Sequence, residues 1–94
     1  MKLTVRYFTI LRSITGKREE RIDADEGSTI EDILRTLVKK YGKDFEKLVH
    51  SGREQRGLKI LFFVDGRNIE EMESLKTRLN GGSVVALMPP VAGG

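Results

Sequence analysis

Ser28-Thr29-Ile30-Glu31-Asp32-Ile33-Leu34-Arg35-Thr36-Leu37-Val38-Lys39-Lys40-Tyr41-Gly42 is the stretch on which the fold turns. Ile30, Ile33, Leu34, Leu37, Val38 and Tyr41 recur at the spacing of one helix face, so the segment predicts an amphipathic helix with a continuous apolar stripe. Ser28 followed three residues later by Glu31 reads as a capping box, and Glu31 and Asp32 complement the positive end of the helix dipole. Lys39 and Lys40 suit the last turn, and Gly42 stands where a helix-terminating glycine belongs. The stripe is core, and no chemistry is assigned to it.

Upstream of this helix the chain reads as two strands. From Lys2 to Phe8, Leu3, Val5 and Tyr7 alternate with Lys2, Thr4, Arg6 and Phe8, the period of a half-buried strand. Thr9 to Thr15 reads as a loop or one helical turn. Glu19 to Asp23 is a second short strand, paired with the first as a hairpin around Thr15-Gly16-Lys17.

Downstream, Phe45, Leu48 and Val49 suggest a short second helix before the polar Ser51-Gly52-Arg53-Glu54-Gln55-Arg56-Gly57 loop. His50, the single histidine, has no companion for metal binding or a triad and reads as surface or loop. Leu58 to Val64 is a strand with Ile60, Phe62 and Val64 inward and Lys59, Leu61 and Phe63 outward. Asp65-Gly66 is a tight-turn signal returning the chain through Arg67 to Ile69. A loop with a helical turn at Ser74-Leu75-Lys76 leads to an Asn80-Gly81-Gly82 turn. The final strand starts at Ser83, with Val85 and Leu87 inward and Val84, Ala86 and Met88 outward. This ββαββ order predicts an α+β β-grasp fold, a mixed sheet packed on one main helix, with the first and last strands parallel neighbours.

Composition bounds the function. A chain of 94 residues forms one domain, and 38% hydrophobic with 33% charged residues suits a soluble globular fold. No apolar run reaches membrane-spanning length and no signal peptide opens the chain, so no membrane partner and a cytoplasmic location are expected. The absence of cysteine removes disulfides, thiolate metal sites and a cysteine nucleophile, and no metal site is expected. Net charge is +3, with 17 basic and 14 acidic residues interspersed, so nucleic acid is not an expected partner. Gly81-Gly82 precedes a strand rather than a helix and is no phosphate loop.

The last six residues, Pro89-Pro90-Val91-Ala92-Gly93-Gly94, carry the remaining signal. Paired prolines cannot donate ladder hydrogen bonds, so strand pairing is expected to stop at Pro89. This divides the chain into a domain over 1–88 and a flexible tail over 89–94. Met88-Pro89-Pro90-Val91-Ala92-Gly93-Gly94 resembles the closing pattern of the MoaD-like sulfur carriers among the ubiquitin-like proteins, the small subunits of molybdopterin synthase. Tyr7-Phe8 with Leu11-Arg12, Glu26-Gly27-Ser28-Thr29 ahead of the helix, and Asp65-Gly66 extend the resemblance over nearly the whole chain. Two departures are the longer Lys43 to Gly57 segment and Met88 where an aromatic is common.

The resemblance implies a chain that is not a catalyst by itself but the sulfur-donating subunit of molybdopterin synthase. Gly94 would supply the reacting α-carboxylate, with Gly93 keeping the approach unhindered. An E1-like adenylating enzyme would use ATP to form an acyl-adenylate, and a persulfide-borne sulfur would displace AMP to leave a thiocarboxylate; no cofactor is bound by the chain itself. The loaded tail would enter the large subunit, in a heterotetramer, and donate sulfur for molybdenum cofactor biosynthesis. Phe8, Leu61, Phe63 and Met88 are the expected partner-binding patch, with Arg6 and Lys59 as rim charges and Pro89, Pro90, Val91 and Ala92 as the segment threaded into the partner. The alternatives are a carrier for tRNA thiolation or thiazole synthesis, a protein-conjugating modifier, and, from another class, a β-grasp binding module with an incidental tail.

Overall fold

The computed structural model describes residues 1–50 and 60–89, the side chain of His50 excepted. β1 (Lys2–Tyr7) leads into a short helix, α1 (Ile10–Thr15), and then β2 (Glu19–Asp23). Two consecutive helices follow, α2 (Ile30–Tyr41) and α3 (Lys43–His50). β3 (Leu61–Val64) and β4 (Arg67–Asn68) come next, then two 3₁₀ turns at Ile69–Glu71 and Ser74–Lys76, and finally β5 (Val84–Met88). The sheet order is β2-β1-β5-β3-β4. β1 runs antiparallel to β2 and parallel to β5, as the crossover through α2 requires. The expected α+β β-grasp architecture is present. The loop joining β1 to β2 holds a full helix, however, so the pair is not closed by a tight hairpin at Thr15-Gly16-Lys17.

One face of the sheet builds the core. Leu3, Val5 and Tyr7 of β1, Phe62 and Val64 of β3, and Val85 and Leu87 of β5 are buried against Ile30, Ile33, Leu34 and Leu37 of α2. The main helix is not alone on this face. Phe45 of α3 is fully buried, its ring 6.3 Å from that of Tyr7 and 5.6 Å from that of Tyr41. Val38, Tyr41, Leu48 and Val49 close the core at its margin.

The capping box sits one residue later than the Ser28–Glu31 reading. Thr29 is extended (φ −108°, ψ 173°), its hydroxyl accepts from the Asp32 amide, and the Asp32 carboxylate accepts from the Thr29 amide at 3.0 Å. Ser28 is occupied elsewhere, since its hydroxyl donates to the Asp25 carbonyl at 2.6 Å and its own carbonyl accepts from Leu79. Gly42 ends α2 at φ 87°, ψ −159°, a conformation open to glycine, and turns the chain directly into α3. Asp65 and Gly66 both take positive φ (50° and 87°), the primed turn that reverses β3 into β4.

Candidate functional site

β5 is the middle strand of the five, so the segment after Met88 leaves from the centre of the sheet. Its start is fixed by Asp65, whose amide donates to the Val84 carbonyl and whose carboxylate accepts from the Val84 amide, both at 2.9 Å. Its pairing ends at Met88, as two prolines dictate. Pro89 is the last described residue. Pro90, Val91, Ala92, Gly93 and Gly94 lie outside the described residues, as do Lys59 and the 51–59 segment.

The sheet face opposite the helices carries three of the four expected patch residues, Leu61, Phe63 and Met88. The register sets Leu61 opposite Met88 and Phe63 opposite Ala86, and on the other flank Arg6 opposite Ala86 and Thr4 opposite Val84. Leu61, Phe63, Val84, Ala86 and Met88 are partly exposed, and none belongs to the core cluster. The helix at Phe45 does not cover them, because α3 packs on the other face. Ala86, in the middle, keeps the patch low between Arg6 and Phe63.

Phe8 differs from its expected place on β1, which ends at Tyr7. It stands at the junction with α1, and two guanidinium groups bracket its ring: Arg6 at 5.6 Å and Arg12 at 5.4 Å from the centroid. Arg12 is anchored by its Nε donating to the Tyr7 carbonyl at 3.0 Å. Arg6, Arg12, Arg18 and Glu19 line a cleft of about 410 Å³ beside Phe8. The site therefore joins an apolar patch to a basic rim, where cation–π contacts hold the ring in place. Arg12, Arg18 and Ile10, the last 52% exposed, were not among the residues the sequence marked as binding. The signal for Arg12 was available in the Leu11-Arg12 pair, but its partner is a carbonyl that only the fold brings near.

On the helix side lies a polar network without a predicted role. Glu20 alternates with Ile22 onto the inner face of β2, and its carboxylate accepts from the hydroxyls of Tyr7 and Tyr41, from Lys40 Nζ at 2.7 Å and from Lys17 Nζ at 3.2 Å. Burial acts to raise the Glu20 pKa, but the hydrogen bonds from Lys40, Tyr41, Tyr7 and Lys17 outweigh it and bring the carboxyl from 4.5 to about 2. Burial pushes the Tyr7 hydroxyl well above its ordinary 10, and the bond to Glu20 adds to the shift. Four donors on one shielded carboxylate satisfy it and leave no lone pair for catalysis. Among the described residues no group of acidic or histidine side chains is placed to hold a metal ion. No helix among them is long and apolar enough to cross a membrane.

The profile of the ThiS family matches residues 5–94. Small archaeal modifier protein 3 of Haloferax volcanii is 30% identical over 94 residues, all of both chains. A solved structure assigned provisionally as molybdopterin converting factor subunit 1, from Pyrococcus furiosus, superposes with a TM-score of 0.78 at 30% identity, over 96% of this chain and 98% of that one. A chain of the Amycolatopsis orientalis BexX/CysO complex superposes at 0.72 with 25% identity, over 98% of this chain and 99% of that one.

Proposed function

Because the chain belongs to the ThiS family of ubiquitin-like sulfur carriers, we propose that it carries sulfur on Gly94 as the small subunit of a molybdopterin synthase. The observation that carries this reading is the geometry of β5. The central strand stops at Pro89 beside a patch of Phe8, Leu61, Phe63 and Met88, so a docked partner would receive the Gly93-Gly94 end from a fixed root. The likeness to the Pyrococcus furiosus protein supports the pterin pathway in particular.

In this proposal an E1-like enzyme binds the patch and draws the tail to ATP. The Gly94 carboxylate attacks the α-phosphate, pyrophosphate leaves, and a persulfide sulfur displaces AMP. A second thiol then cleaves the acyl disulfide, releasing the thiocarboxylate. The molybdopterin synthase large subunit takes the same patch in turn and accepts the sulfur through the threaded tail. The chain contributes docking, delivery and an unhindered carbonyl; its partners contribute the catalysis.

The full-length similarity to a small archaeal modifier favours a second reading, in which Gly94 is joined to a lysine of another protein. One reconstitution separates the two. The thiocarboxylate form is incubated with the host's large subunit and the cyclic pterin precursor, and the dithiolene product is assayed. Product formation with return of the free carboxylate supports the pterin role. Failure to form it, together with isopeptide-linked Gly94 on host lysines in peptide mass spectra, would replace it with the modifier role.

A further inference from the structure

One edge of the sheet is a strand that pairs on one side only among the described residues. β2 is the edge of the sheet beyond β1, and its five residues make it the longer of the two edges, since β4 has two. The Ala24 amide donates to the Met1 carbonyl and the Tyr7 amide to the Arg18 carbonyl, both on the register that pairs Leu3 with Ile22 and Val5 with Glu20. Antiparallel ladders bond every second residue, so Glu20 and Ile22 spend their backbone groups on β1. The N–H and C=O groups of Glu19, Arg21 and Asp23 point away from the sheet, and no hydrogen bond among the described residues reaches them. Native sheets guard such an edge with a bulge, a proline, a covering loop or charged side chains. β2 has no proline and no bulge in its register, and its guard is charge, on Glu19, Glu20, Arg21 and Asp23, which favours a partner of matching charge pattern over an arbitrary strand.

Beside this edge runs an open groove of about 410 Å³ between β2 and α2. Ile22, Ala24 and Ile33 give it an apolar floor, Thr36 and Lys39 form its helix wall, and Asp25 and Glu26 close one end. The outward side chains along the strand alternate in charge: acidic Glu19, basic Arg21, acidic Asp23, all exposed. Arg6 pairs with Glu19 at 3.7 Å and Lys2 with Asp23 at 3.3 Å from the β1 side, so a peptide's basic residues would share these carboxylates from the open side. We propose that this edge and groove form a second docking site, which takes an extended peptide segment of a partner protein as a sixth strand. The peptide's recognition pattern is a charge alternation of basic, acidic, basic on one face and apolar residues on the other. The basic positions meet Asp23 and Glu19, the acidic one meets Arg21, and an apolar side chain between them drops beside Ile22. Because the pattern reads the same in both directions, it serves a parallel or an antiparallel strand.

Charge also argues for a different chain as the occupant. Two copies paired along their full β2 edges about a two-fold axis would set Arg21 against Arg21 and Glu19 against Asp23. The edge lies two strands from Met88 and Pro89, so it does not depend on the tail's chemistry, and it shares Glu19 with the cleft beside Phe8.

The test is titration of the ¹⁵N-labelled full chain with a capped peptide, glycine-lysine-valine-glutamate-valine-lysine-glycine, followed by amide shifts and hydrogen exchange. The expected result is shift changes centred on residues 19–25 and 33–39, with slowed exchange at the Glu19, Arg21 and Asp23 amides. Arg21→Glu should weaken this peptide at least tenfold, and the peptide with its central glutamate changed to lysine should recover the loss on that variant. No shift change at millimolar peptide, changes confined to the Phe63 and Met88 face, or slowed edge exchange that scales with protein concentration in the absence of peptide would each overturn the proposal. The last outcome would assign the edge to a second copy.

Discussion

Glu20 sits in an environment that its type does not suggest, shielded on the helix side of the sheet. Its folded pKa of about 2 lies below the ordinary 4.5, so the ionised form is favoured by folding. The resulting stability is fully present above the unfolded value and is lost as pH falls from about 4.5 toward 2. The shift corresponds to roughly 3 kcal/mol at neutral pH. Glu20→Gln should cost about 2–3 kcal/mol in urea unfolding at pH 7 and almost nothing near pH 2; an equal cost at both would mean the carboxylate's charge contributes nothing. Thr9 gives a contrasting case. A β-branched residue at φ 48°, ψ −121° is strained, and a glycine fits that region freely. Thr9→Gly is expected to raise Tm by a few degrees, about 0.5–1 kcal/mol net of the added chain entropy. A lower Tm in calorimetry would show that the junction between β1 and α1 is held by the threonine rather than tolerated.

The two ends of α2 show what an element reveals before its fold is known. The apolar stripe Ile30, Ile33, Leu34 and Leu37 needed only period, and all four are buried. The cap needed more, because Ser28–Glu31 and Thr29–Asp32 are adjacent and chemically similar pairs. The choice between them is made by Asp25 and Leu79, which engage Ser28 from the preceding turn and from far along the chain. Thr29→Ala should therefore cost about 1 kcal/mol, while Glu31→Ala stays within a few tenths; the reverse order in chemical denaturation would restore the Ser28 register. α1 has six residues, too few for a period to show, and α3 is recognisable only by Phe45, Leu48 and Val49. Phe45 proves to be core, so Phe45→Ala is expected to cost about 3–5 kcal/mol. The patch residues Leu61, Phe63 and Met88 were legible because strand alternation fixes their face. Arg12 and the Glu20 network were not, since each depends on contacts between separate elements.

At the scale of the whole molecule, the sheet separates three tasks. Its inner face holds the core, its outer face carries the patch beside the tail root, and among the described residues no strand pairs with its β2 edge on the side away from β1. A charge on the outer face should leave the fold intact, so Phe63→Asp is expected to unfold like the parent within about 0.5 kcal/mol while losing capture by the E1-like enzyme. Retained capture at parental affinity would move the docking surface elsewhere. Whether Gly94 is the reacting group is read from the intact mass of the chain after incubation with the host's E1-like enzyme, ATP and a sulfur donor. Sulfur loading at Gly94 gives a mass gain matching one oxygen replaced by one sulfur, absent from a variant lacking Gly94. An unchanged mass, with the enzyme shown to be active on another carrier, would contradict it.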